Sequence, residues 1–377
     1  MSLLRWLGPW TADSVVPPGV ERTVRLLRDG PLTGHRAHRA GETRDLDRPG
    51  RLEVYEYHPP REPVGSYLIA PGLHFLGPDD PRLDRFCRVL ARAGFHVVAP
   101  FLPAYVDLRV HPSAPDDLEI VARDLLARLP RGRRPTLFSI SFGSWPAFEV
   151  AARLGRKADG VITFGGYAEF DAAVRFCVDG VMRSPEGDET LARDPLNSPA
   201  LFLNLLPYLD AGGDTRELEA AWRCMVYRTW GRMELKQPGR LEPFARELVA
   251  DVPSRHRDLF LIGCGVIPGA VELVEAGLDR AGDALGFASP ASALERLESP
   301  VVISHGRDDD VIPYGEAYKL ARALEPRVPT RLLLTGLYGH TGAGRPDVQS
   351  AAREAGALLS IARAMAHGGA LRKLLGE

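Results

Sequence analysis

The feature that most restricts the fold is a series of short, predominantly apolar segments, each stopped by glycine, proline or a polar turn and most followed by a helical pattern. Gly65–Ala70 (GSYLIA) ends at Pro71-Gly72, and Phe95–Ala99 (FHVVA) is halted by Pro100. Thr136–Ile140 (TLFSI), Gly160–Phe164 (GVITF), Pro300–Ser304 (PVVIS) and Thr330–Leu334 repeat the theme. Runs of this length without polar alternation are strands buried on both faces. Between them lie amphipathic helices. Asp80–Ala93 has an aspartate before its first proline and Gly94 after its last turn, the residues that start and stop a helix. Ala114–Leu129, Ser141–Leu154, Glu316–Leu324 and Val348–Ala366 carry the same periodicity, while Arg51–Tyr57 alternates polar and apolar residues as an outer strand does. The expected class is α/β, a mostly parallel sheet with helices on both faces.

The alternation stops between residues 169 and 295. That stretch holds helical segments (Thr215–Tyr227, Leu241–Val249, Ala270–Ala281) and no clear strand, and alternation then resumes. A sheet interrupted in this way predicts one core in two parts, 51–168 and 296–377, with an inserted helical cap over 169–295. Residues 1–50, rich in Arg, Gly, Pro and His, read as an irregular lead-in.

Of the 377 residues 45% are hydrophobic and 25% charged, with a net charge of −2, which excludes a disordered chain and leaves no basic footprint for nucleic acid. Cys87, Cys177, Cys224 and Cys264 lie far apart without metal-ligand or CxxC spacing and read as reduced core thiols. The first residues are broken by Arg5, Pro9 and Asp13 before a signal sequence could form. Leu259–Val271, the longest uncharged stretch, contains Pro268 and falls short of the roughly 18 residues of a membrane span. A cytoplasmic, soluble protein is expected, with interfacial membrane contact through the Leu/Trp-rich N-terminus as the alternative. No phosphate-binding loop or dinucleotide fingerprint appears, so neither cofactor nor metal is expected.

The segment Leu137-Phe138-Ser139-Ile140-Ser141-Phe142-Gly143-Ser144 passes from a buried strand directly into a helix. Such a turn strains the central residue, lifts its hydroxyl clear of the sheet, and admits only small residues two before and two after, here Ser139 and Gly143. Amides at the helix start, that of Phe142 included, face any developing oxyanion. The run resembles the nucleophile elbow (G-x-S-x-G) of the α/β-hydrolase superfamily, with Ser139 in place of the first glycine. A serine that merely caps the helix is the alternative reading of the isolated motif.

Residues 299–313 read Ser-Pro-Val-Val-Ile-Ser-His-Gly-Arg-Asp-Asp-Asp-Val-Ile-Pro. This string resembles the superfamily's acid loop, and the resemblance puts the acid on Asp309, three after Gly306 and four before Pro313. Asp308 and Asp310 are then a charged loop facing solvent. Gly339-His340, beyond the last core strand, resembles the catalytic-histidine loop. The order Ser141, Asp309, His340 is that of the fold, and all three follow strand ends. The resemblance also implies a second oxyanion donor at the Leu73 amide in Pro71-Gly72-Leu73-His74. Glu169 and Asp171 are reserve acids, His74 and His305 bracing residues. The stretch GPDDPRLDRFCRVLARAGFHVVAPFLP (77–103) is similar to bacterial dienelactone-hydrolase-like and esterase members. The likeness covers roughly 64–168 and 296–345 and leaves out the cap.

A serine hydroxyl needs a base to accept its proton, an imidazole does so near neutral pH, and a carboxylate fixes the imidazole's tautomer. The expected activity is hydrolysis of a small-molecule ester or thioester through an acyl-enzyme on Ser141. Carbon–carbon bond hydrolysis, acyl transfer or peptide cleavage on the same triad, and a binding protein that has lost turnover, are the alternatives. Phe202, Leu205, Leu206, Tyr208, Trp222, Tyr227, Trp230 and Phe260 either pack the cap onto the core or line an acyl pocket, and Trp145 reads as core.

Overall fold

The computed structural model describes residues 20–27, 38–39, 42–43, 52–336 and 348–376. Eight strands form its central sheet: β1 Glu21–Leu27, β2 Leu52–His58, β3 Gly65–Ala70, β4 Phe95–Pro100, β5 Thr136–Ile140, β6 Gly160–Phe164, β7 Val301–Gly306 and β8 Thr330–Thr335. Their spatial order is β1-β2-β4-β3-β5-β6-β7-β8. β2 runs antiparallel to both its neighbours, and every pair from β4 onward is parallel. The mostly parallel α/β sheet expected from the apolar runs is what the chain adopts.

Parallel neighbours need crossovers, and helices supply them. These are α1 Pro81–Ala93, α2 Ser113–Arg128 and α3 Ser144–Leu154 in the first half, with α10 Gly315–Leu324 and α11 Val348–Ala366 in the second. Side chains alternate across each strand, so the sheet feeds two apolar layers. Leu68, Leu137, Val161 and Ile303 pack towards α2, α3 and α10, whereas Ile69, Phe138, Ile162 and Val302 pack towards α1 and α11. At α1 the Asp80 carboxylate accepts the Arg82 amide and Gly94 closes the helix at φ 111°, as the sequence implied.

Between β6 and β7 stand α4 Phe170–Asp179, α5 Ser198–Leu205, α6 Arg216–Thr229, α7 Glu242–Leu248, α8 Arg257–Gly263 and α9 Ala270–Ala281. Phe202, Trp222 and Phe260 are fully buried there and hold the helices to one another and to the core. One ribbon escaped sequence reading: Val181–Met182 pairs with Glu189–Thr190. Two residues a side are too few to leave a pattern.

The lead-in is not wholly irregular, because β1 adds an edge strand paired to β2 from Glu21↔His58 to Leu27↔Leu52. Its polarity is inverted: Val24 and Leu26 are 56% and 54% exposed, while Arg25 turns inward to Glu56 and Asp124. Burial alone would raise the Glu56 pKa, but bonds from His96, Arg25 and Arg128 hold it down at about 2. Glu56, His58 and His96 bring ligand atoms within 4.8 Å of one another. Two guanidiniums already occupy that carboxylate, and His58 Nε2 meets Thr23 Oγ1 at 2.8 Å, so the cluster is an ion-pair network and not a cation site.

The end of the chain closes the sheet. The Tyr67 hydroxyl donates to the Met365 carbonyl, the Gly369 amide to Thr136 Oγ1 at 2.7 Å, and the Leu371 amide to Asp159 Oδ2 at 2.8 Å. A side chain at Gly65 would stand 2.3 Å from the Gly368 carbonyl, so glycine is required for that approach.

Candidate active site

Ser141 follows the last residue of β5 and opens a short 3-10 turn, 141–143, that runs into α3. Its φ is +51°, a region that an L-residue enters at a cost of order 1–3 kcal/mol. The strain persists because both ends of the turn are fixed. Below, Ser139 pairs with Ala70 on one side and Thr163 on the other. Above, a Cβ on Gly143 would lie 2.3 Å from the Ala70 carbonyl oxygen and 2.5 Å from that of Pro71. Ser139 is fully buried and its hydroxyl makes no hydrogen bond, so this position demands small size and not polarity. Gly143→Ala is therefore expected to destabilise the fold by about 1–3 kcal/mol through overpacking, read by urea unfolding. Unchanged stability would mean that the β3 loop does not press on the turn.

The loop after β3 meets the same turn. A Cβ on Gly72 would come within 3.3 Å of the Ile140 carbonyl oxygen and 3.6 Å of Ser141 Cβ, which places Gly72 against the serine. Phe142 is held from behind by Tyr105, whose hydroxyl donates to its carbonyl at 2.8 Å, and its ring packs against Tyr167 at 5.3 Å. The first amides of a helix have no carbonyl partner within it, so the Phe142 amide is a free donor by position.

Asp309 follows β7, two strands from β5. Its Oδ1 accepts the Val311 and Ile312 amides at 2.9 Å each. Its Oδ2 reaches over the end of β6, 2.9 Å from where a Cβ on Gly165 would stand. Burial pushes the Asp309 pKa up; His305 and the two amides oppose the shift, and the Asp310 charge adds to it. His305, fully buried, has Nε2 2.9 Å from the Ile312 carbonyl oxygen and 3.4 Å from Asp309 Oδ2. Donation to Ile312 fixes the Nε2–H tautomer, so His305 braces the acid loop. The reserve acids point elsewhere: Glu169 pairs with Lys319 at 2.6 Å in an exposed position, and Asp171 is exposed.

His340 lies outside the described residues. The chain leaves β8 beside Gly306, its register partner being Thr335, so Gly336 ends next to the acid loop. Ser141, Gly165, Asp309 and Gly336 thus succeed one another along one rim of the sheet.

A cavity of 520 Å³ opens over Ser141, and Leu73 and Phe142 also line it. Phe170 and Val174 of α4 and Leu201 and Leu205 of α5 give it an apolar lining, to which Phe86 and Met365 also contribute. Of the aromatic and aliphatic insertion residues singled out from sequence, Leu205 and Trp230 line the cavity, and the pocket side of α4 was not foreseen. His74 also reaches it. Its Nδ1 accepts the Leu76 amide at 3.2 Å and Nε2 lies 3.3 Å from Asp80, while burial lowers its pKa to about 4, so it is a neutral bracing residue. Cys177 borders the cavity with a thiol that burial pushes up to about 12, which leaves it unreactive. Trp145 is core, and all four cysteines are free.

Asp310 does not face solvent as its sequence context suggested. It pairs with Lys236 at 2.6 Å, and Lys236 also meets Asp194 at 2.8 Å, all three bordering the cavity. A single lysine in the insertion carries no motif, so sequence could not have selected it.

No protein-family model matches the chain, and no curated protein matches it. It is similar in fold to a dienelactone hydrolase from Anabaena variabilis (13% identity, 93% of this chain and 97% of that one, TM-score 0.41). An esterase from Pyrococcus furiosus is likewise similar (10% identity, 86% and 87%, TM-score 0.43). So is a puromycin-hydrolyzing peptidase from Mycobacterium tuberculosis (14% identity, TM-score 0.45), where 94% of this chain covers 39% of the peptidase. The strand order, the antiparallel β2 and the strained turn after β5 are themselves those of the α/β-hydrolase fold.

Proposed function

We propose that this chain is a serine hydrolase that cleaves a carboxylic ester or thioester through an acyl-enzyme on Ser141. The observation that carries this reading is Ser141 itself, strained at φ +51° on a strand-to-helix turn, with Gly72 packed against it and an apolar cavity above it. His340 is the base and Asp309 the acid that orients it. His340 stands four residues beyond Gly336, within reach of the acid loop at about 3.3–3.6 Å of extended chain per residue.

The imidazole takes the Ser141 proton as Oγ attacks the acyl carbon. The oxyanion is met by the amides of Phe142 and Leu73, and collapse breaks the acyl–oxygen or acyl–sulfur bond as the imidazolium protonates the departing alcohol or thiol. Water, deprotonated by the same base, then releases the acid. No cofactor enters this scheme. The insertion serves as a cap, and its wall of Phe170, Val174, Leu201 and Leu205 favours an apolar acyl group.

A fluorophosphonate probe tests the reading. The wild-type protein is expected to be labelled on the peptide that contains Ser141, and Ser141→Ala to remain unlabelled. Labelling confined to another residue, or none on folded protein, overturns it. p-Nitrophenyl esters of increasing acyl length then report the pocket.

A further inference from the structure

We infer that Lys236 is a positioning residue for the acid loop, tying the helical insertion to the segment that carries Asp309 by gripping Asp194 and Asp310 together. The inference rests on the reading of Asp309 as the triad acid.

Lys236 ends the turn Met233–Lys236 that follows α6. Its side chain is 12% exposed, and its ammonium lies 2.6 Å from Asp310 Oδ2 and 2.8 Å from Asp194 Oδ2. Asp194 opens the turn before α5: its Oδ1 caps the Leu196 amide at 2.9 Å, and its own amide donates to the Asp310 carbonyl at 2.7 Å. Three segments distant in sequence therefore meet at one ammonium. Burial works against its charge, but the two carboxylates more than compensate, and Lys236 stays protonated.

Asp310 is bonded to Asp309, so the grip acts one residue from the acid. The loop is held from the sheet side by His305, within itself by the Val311 and Ile312 amides that Asp309 accepts, and from the insertion side by the Lys236–Asp194 pair. Leu196, two residues after Asp194, and Met233, three before Lys236, line the cavity. Without Lys236, the partly buried carboxylates of Asp194 and Asp310 face each other uncompensated and separate, taking the Asp309 loop with them. A displacement near 1 Å of a reacting group costs about 10²-fold in rate.

Saturation kinetics of fluorophosphonate labelling on the full chain test this. Lys236→Met is expected to lower the maximal labelling rate by about 10- to 100-fold, with the half-saturating probe concentration changed by less than about threefold. Lys236→Arg, which keeps the charge, restores at least a third of the wild-type rate. Asp194→Asn keeps the cap on Leu196 and weakens the ion pair, and serves if Lys236→Met does not fold: a fall of about threefold or more supports the inference. Wild-type rates in both Lys236→Met and Asp194→Asn, or a fall that Arg does not restore, overturn the positioning role while Ser141 remains the nucleophile. A wild-type protein that is not labelled at Ser141 removes the reading and the inference together.

Discussion

Ser141→Ala is expected to give a folded protein whose kcat on any ester the wild type hydrolyses is lower by about 10⁵–10⁶, with KM changed by no more than a few-fold. In the proposed mechanism the hydroxyl is the attacking group, so its loss removes the acyl-enzyme route. The proposed oxyanion donors, the amides of Phe142 and Leu73, and the apolar walls are unchanged by the substitution. Alanine keeps the strain, since its Cβ is still carried at φ +51°. Ser141→Gly relieves it, because glycine enters that region freely, and should melt higher than Ser141→Ala by an amount corresponding to about 1 kcal/mol. Steady-state kinetics and melting of the two variants together separate chemistry from backbone. A fall in kcat of less than tenfold would rule out Ser141 as nucleophile, and equal melting would show the turn to be unstrained.

Asp117→Asn is expected to stabilise the protein at pH 8 by about 4 kcal/mol and to leave it unchanged at pH 4. Asp117 lies on α2 at 1% exposure, and neither carboxylate oxygen has a hydrogen-bond partner. Burial, aided by the neighbouring Asp116 charge, raises its pKa from 3.8 to about 7. The folded carboxyl thus keeps a proton that the unfolded chain gives up near 3.8. Its contribution is fully present below that pH and is lost as pH rises to about 7, at roughly 1.4 kcal/mol per unit. An amide cannot ionise and avoids the loss. Urea unfolding of both proteins across this range isolates the term, since every other titrating group is common to them. Parallel stability curves would show that Asp117 ionises in the fold as it does in the unfolded chain.

The sheet was legible where burial on both faces left continuous apolar runs, as in GSYLIA and GVITF, and where Asp80 and Gly94 punctuate α1. β1 was hidden because its apolar residues Val24 and Leu26 face out while Arg25 and Thr23 face the neighbouring strand and helix, an inversion of the usual pattern. Ser141 could be picked out because steric demands on a tight turn act within five consecutive residues. Gly143 illustrates this: its need for a bare α-carbon is local, though the atoms it avoids belong to Ala70 and Pro71. Lys236 and the α4 side of the cavity depend on how the insertion folds back over the sheet, and no local signal encodes that. Phe170 and Val174 look in sequence like any helix core.

The contacts of residues 365–371 with β3, β5 and Asp159 have a consequence for how the protein is made. Synthesis proceeds from the N-terminus, so the nascent chain presents Tyr67, Thr136 and Asp159 long before Met365, Gly369 and Leu371 leave the ribosome. Until then the middle of the sheet has an unsealed flank, with a buried tyrosine hydroxyl and a carboxylate still awaiting their partners. Completion of the sheet therefore waits for residues 365–371 to emerge. A premature stop before Met365 would therefore cripple the centre of the molecule and not merely trim its edge.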